Sequence, residues 1–124
     1  MLFRSVNTRG GRVRGHSAGR TLAFLGIPYG GDTSQRRFRP PVPAPRWTSV
    51  LDATQYGVAS PQTRATEATG ENCLALNVWT PGLNGRRPVL FYIHGGEYSH
   101  GSGSAPLYEG TRLAIRGEIG RAHV

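Results

Sequence analysis

The stretch Val89-Leu90-Phe91-Tyr92-Ile93-His94-Gly95-Gly96-Glu97-Tyr98 decides how this chain is read. Val89 to Ile93 is apolar on both faces. That predicts a strand covered on both sides in a parallel or mixed sheet. The strand runs into His94-Gly95-Gly96, and the loop continues as His100-Gly101-Ser102-Gly103-Ser104. Glycines let a chain fold back with its N–H groups pointing into a cleft, where they can hold a negatively charged oxygen. A strand ending in His-Gly-Gly is a known motif for half of an oxyanion hole, and ester hydrolysis is the chemistry it leads one to expect.

Working outward, Val6-Asn7-Thr8 and Gly11-Arg12-Val13-Arg14-Gly15 read as a hairpin with a Gly-rich turn. Thr21 to Tyr29 reads as a strand that Pro28 ends. Residues 30–47 are rich in Pro, Gly and charge, which predicts a surface loop pinned by Phe38 and Trp47. Leu74 to Trp79 reads as a strand followed by a Pro81-Gly82 turn. Asn84-Gly85 is a strong hairpin-turn dipeptide. Leu107 to Arg116 carries a weak helical pattern. The chain is one continuous segment without linker or repeat.

Composition bounds the partners. The chain has 124 residues, 18 Gly, 9 Pro and 37% hydrophobic residues, enough for a modest core. All 15 basic residues are Arg, which reads as codon usage in a GC-rich genome. The +8 charge is scattered, with short clusters at Arg36-Arg37-Arg39 and Arg86-Arg87, and no nucleic-acid-binding motif accompanies it. No nucleic-acid partner is expected. No apolar run is long enough to span a membrane, and no secretory signal opens the chain. A cytoplasmic location is favoured. One cysteine, Cys73, excludes an internal disulfide. Four isolated histidines with one cysteine give no metal-ligand spacing, so no metal is expected. Gly101-Ser102-Gly103-Ser104 lacks the Lys-Ser/Thr of a P-loop.

The last seven residues, Glu118 to Val124, are what GAG-ATC-GGA-AGA-GCA-CAC-GTC encodes. That string resembles a common short-read sequencing adapter read in frame. Residues 118–124 are set aside as a translated artefact, and residues 1–117 are taken as the genuine segment.

Six pieces together resemble the type-B carboxylesterases, the group that includes cholinesterases and bacterial para-nitrobenzyl esterases. They are Gly11 to Gly15, Phe24 to Tyr29, Arg37-Phe38-Arg39-Pro40-Pro41, Pro61-Gln62, Glu71 to Pro81, and the His-Gly-Gly loop. They follow the family's order from about Val6 to Gly117. The resemblance implies the N-terminal part of an α/β-hydrolase fold: small antiparallel strands and the first strands of the central mixed sheet. It implies a serine esterase acting on small-molecule carboxylic esters without cofactor.

The resemblance also implies roles. The Gly95-Gly96-Glu97 loop supplies oxyanion donors, from the backbone N–H groups of Gly96 and Glu97. A third donor follows the nucleophile. The nucleophile, acid and histidine lie downstream of this loop in the family's order, beyond residue 124. No Gly-x-Ser-x-Gly occurs here. Ser99, Ser102 and Ser104 therefore read as loop hydroxyls bonded to backbone, His94 as structural, and His16 and His100 as loop residues. Trp47 and Trp79 read as anchors. Alone, the segment is expected to be inactive.

Three positions depart from the family pattern. Glu97 stands where Gly is usual, which costs strain if φ is positive and places a carboxylate near a developing oxyanion. Ser60 stands where many relatives carry a cysteine, leaving Cys73 a buried free thiol. Asn72 and Ala75 alter the Glu-Asn-Cys-Leu motif. A catalytically dead adhesion or binding relative is the alternative function, and a small basic binding domain complete in itself is a further one. Oligomeric state is not legible in the sequence.

Overall fold

The computed structural model describes residues 2–117 and, for the backbone course alone, 120–123. Strand β1 (Phe3–Asn7) pairs antiparallel with β2 (Arg12–Ala18). The turn is tied by Thr8, whose N–H and hydroxyl both donate to the Gly11 carbonyl at 2.9 and 2.7 Å. Trp47 closes over it: its indole N–H donates to Arg12 O at 2.8 Å, and a Cβ on Gly11 would lie 2.5 Å from Trp47 O. Trp47 thus pins the loop as expected. Phe38 does not. Its ring is fully exposed and its φ is 61°, so the turn around it is set by backbone bonds and not by burial.

Strand β3 (Thr21–Pro28) lies between β2 and β5 (Ala75–Thr80), antiparallel to both. Side chains alternate across a strand, and here the alternation divides two cores. Ala23, Leu25 and Trp79 pack on one face with Ala114. Val13, Phe24 and Ala53 pack on the other, with Leu22, Val78 and Trp47 against them. Two-residue β4 (Leu51–Asp52) runs parallel to β2 and delivers Ala53 to that second core. The β3–β5 register slips between Phe24 and Ile27, where Gly26 takes φ 68° and donates its N–H to Asn77 Oδ1 at 2.9 Å. The slip is a bulge of the kind glycine permits.

Trp79 is 2% exposed, and its truncation to Ala would cost about 3–5 kcal/mol. Its ring sets the approach of the helical segment, since a Cβ on Gly110 would lie 2.6 Å from it. A single 3₁₀ turn (Pro106–Tyr108) precedes helix α1 (Thr111–Gly117), so the weak helical pattern resolves into two pieces. Glu109 accepts the Thr111 N–H at 3.1 Å, satisfying one of the helix's orphan donors.

Strand β6 (Val89–Tyr92) forms where its apolar run predicts, but it is not covered on both faces. Val89 is 67% and Phe91 58% exposed, and Ile93 beyond it 69%. Tyr108 packs ring to ring on Tyr92, with centroids 5.4 Å apart. Strand β7 (Gly120–His123) lies between β5 and β6, antiparallel to the first and parallel to the second. It falls within the segment set aside in the sequence. A β-ladder is made by backbone groups, so open strand edges accept almost any extended segment. With β7 between them, β5 and β6 are not hairpin partners. Asn84-Gly85 therefore sits in a wider loop instead of a tight two-residue turn, with Gly85 at φ 87°.

Candidate oxyanion loop

After β6 the backbone leaves the sheet through Ile93 and His94 and turns back on itself between Gly95 and Gly101. Gly96 takes φ 143°, and a Cβ there would fall 1.7 Å from His100 O, so no side chain fits. The Gly96 carbonyl accepts from Ser99 N at 2.9 Å and His100 N at 3.1 Å. Those bonds turn the carbonyl inward. Among the described residues, no hydrogen bond takes up the N–H of Gly96 or Glu97. Both residues line a cleft of about 590 Å³ that Ser60, Pro61 and Gln62 also line. Unpaired N–H groups in a concave, glycine-shaped turn can hold an anionic oxygen.

Glu97 follows at φ 55° and Tyr98 at φ 60°. Both are exposed, so neither strained residue is held by burial of its side chain. Left-handed backbone costs an L-residue roughly 1–2 kcal/mol. The Glu97 carboxylate appears in no ion pair among the described residues. Gly95 has open space where a Cβ would stand.

The returning limb is held residue by residue. Gly101 is gripped by Gln62, whose Oε1 accepts its N–H at 2.9 Å and whose Nε2 donates to its carbonyl at 3.0 Å. Ser102 Oγ donates to Glu67 Oε1 in a short hydrogen bond, and Ser104 Oγ donates to the same oxygen at 3.2 Å. Asn77 Nδ2 donates to Gly103 O at 3.2 Å. The hydrogen bond from Ser102, then that from Thr66, holds the Glu67 carboxyl down at about 2, against a smaller opposing effect of burial. Ser102 and Ser104 both donate to a carboxylate, because Glu67 is the stronger acceptor within reach, while Ser102 Oγ also accepts the Ser104 backbone N–H at 3.3 Å. Ser99 does bond backbone, donating to Gly96 O at 3.2 Å.

Histidines divide by position. His94 Nδ1 lies 2.8 Å from Gly95 O, and its ring centroid is 6.5 Å from that of Tyr108. His100 stays in the loop, its Nδ1 3.0 Å from Ser99 Oγ. His16 is not a loop residue. It lies in β2, opposite Phe3 and Ala23, because the hairpin strand runs on through Ala18. Cys73 is a free, half-buried thiol, and burial is the main cause that pushes it up, reinforced by nearby Glu71 and Asp32. A thiol so raised stays protonated and unreactive. No cluster of three metal-ligating side chains occurs among the described residues.

Gln62, Glu67 and Asn77 were not legible as loop anchors. Gln62 stood out only as part of Pro61-Gln62. Asn77 gave one signal, a polar residue within an alternating strand. Glu67 gave none.

Comparison with known proteins places the chain in a family. The profile of the carboxylesterase family matches residues 3–119. The para-nitrobenzyl esterase of Bacillus subtilis (strain 168) is 39% identical over 96% of this chain and 26% of its own length. The cholinesterase of Mus musculus is 36% identical over 88% of this chain and 21% of its own. Among solved structures, a carboxylesterase of Geobacillus stearothermophilus superposes with a TM-score of 0.91 at 42% identity, covering 96% of this chain and 25% of that one. The chain thus spans about a quarter of the length of the relatives it matches.

Proposed function

From the premise that this chain belongs to the carboxylesterase family, and carries the N-terminal part of its α/β-hydrolase fold, we propose that it supplies the oxyanion loop of a serine esterase. The complete protein hydrolyses small-molecule carboxylic esters. Residues 1–117 are the working segment, and residues 118–124 stand outside it.

The observation that supports this reading most is the pair of N–H groups at Gly96 and Glu97, left without an acceptor among the described residues on the wall of a cleft. When a nucleophile adds to an ester carbonyl, the carbonyl oxygen gains negative charge. Donors fixed in advance stabilise that charge without having to reorganise. The loop adds no proton transfer of its own. A serine nucleophile, its histidine base and an orienting acid are supplied by the rest of the enzyme, and no cofactor enters. Glu67 and the serines beside it keep the loop in place and take no part in the bond changes.

The test is a full-length esterase carrying residues 3–117, for example with this segment replacing the matching quarter of the Bacillus subtilis relative. Hydrolysis of a p-nitrophenyl ester, with covalent labelling of one serine by a fluorophosphonate, is expected. A folded protein that is labelled at no serine and turns over no ester would refute the reading and favour an inert binding protein.

A further inference from the structure

We propose that Gln62 is a positioning residue for the oxyanion loop: its carboxamide locks Gly101, and Gly101 in turn holds Gly95 and Gly96 in the shape that presents the N–H groups of Gly96 and Glu97. The proposal rests on the esterase reading above.

The amide is fully committed. Oε1 accepts from Gly101 N, while Nε2 donates to Gly101 O and, at 3.1 Å, to Ser60 O. A primary amide has two N–H donors, and both have acceptors here. The reversed orientation would set Nε2 against an N–H and Oε1 against carbonyls, so these partners select the one observed. Ser60, Gln62 and Gly101 all line the cleft, so the grip lies within it.

Gly101 is the right place to grip. Its φ is 98°, and a Cβ there would meet Gly95 O at 2.5 Å and His94 Nδ1 at 3.1 Å. Its backbone thus lies directly against the outgoing limb. Gly96 is tied to the same limb through Ser99 N and His100 N. Moving Gly101 therefore moves Gly95 and Gly96. The Glu67 and Asn77 bonds hold residues further along, from Ser102 to Ser104, and do not reach the outgoing limb. Gln62 contributes no group to the ester itself.

The experiment uses Gln62→Glu and Gln62→Ala in the full-length esterase carrying this segment. Misplaced donors weaken transition-state binding more than substrate binding, so Gln62→Ala should lower kcat about tenfold or more while KM changes less than about threefold. Gln62→Glu gives a sharper readout. As a neutral acid it can still accept from Gly101 N and donate to Gly101 O. Ionised, it cannot donate and repels that carbonyl. The ratio of variant to unmutated kcat should therefore approach one in acid and fall about tenfold as pH rises through the introduced carboxyl's pKa, with both proteins folded by circular dichroism. If Gln62→Ala does not fold, the pH dependence of the Gln62→Glu ratio decides. A ratio that stays flat with pH overturns the proposal. Lack of turnover in the unmutated enzyme instead sinks the reading beneath it, and the two failures are distinct.

Discussion

Glu97→Gly, made in a full-length esterase carrying this segment, is expected to preserve turnover and leave stability equal or slightly higher. Glu97 sits at φ 55°, a conformation that costs an L-residue roughly 1–2 kcal/mol and glycine almost nothing. Glycine loses about 0.5–1 kcal/mol more backbone entropy on folding, so the net gain is about 0–1.5 kcal/mol. The charge works in the same direction. A carboxylate about 7 Å from the oxyanion would oppose it by about 0.6 kcal/mol at the dielectric of water and about 2.4 kcal/mol at an effective value near 20. The side chain is exposed, so the lower figure applies, and removing it should raise kcat about threefold at low salt. The donor itself is the backbone N–H, which glycine keeps. Steady-state kinetics on a p-nitrophenyl ester and a thermal melt on the same preparation test both halves. A folded Glu97→Gly enzyme with kcat down more than about tenfold, near 1.4 kcal/mol of barrier, would refute the reasoning, because Glu97 would then act directly. The complementary perturbation removes a donor. A side chain at Gly96 would collide with His100 O at 1.7 Å and rebuild the loop, so the clean change is glycolate at position 96, which replaces the amide by an ester. It should lower kcat about 100- to 1000-fold.

The 124-residue chain alone should hydrolyse p-nitrophenyl acetate no faster than a heat-killed control, since an oxyanion loop without a nucleophile has no tetrahedral adduct to stabilise. The same chain should melt without a cooperative transition, because Val89, Phe91 and Ile93 remain more than half exposed; sharp, dispersed amide signals over residues 89–93 would contradict this. Acid should release the Glu67 anchor. Its carboxyl is lowered from 4.5 to about 2 in the folded state, so its stabilisation is fully present above about 4.5 and is lost as pH falls toward about 2. In the full-length esterase, urea unfolding should show the deficit of Glu67→Gln narrowing across that window, and a deficit that widens would count against the network.

What the sequence determined by itself was local. An apolar run makes Val89–Tyr92 a strand, Pro28 ends β3, and alternation buries Trp79. Glycines at 96 and 101 mark a turn that side-chain-bearing residues could not make, so the turn after β6 was legible from its own residues. Propensity and steric exclusion act over a few neighbouring residues, and those can be read in order. The tertiary structure alone decided which distant groups meet. Gln62 finds Gly101 across 39 residues, and Glu67 finds Ser102 across 35. Neither pairing leaves a periodic trace. The same dependence explains the misses. Phe38 looked like an anchor but had no core to enter, and His16 looked like a loop residue until the β1 and β3 pairings extended its strand. Burial of β6 is tertiary too: an apolar sequence can demand cover on both faces, but only packed neighbours can supply it.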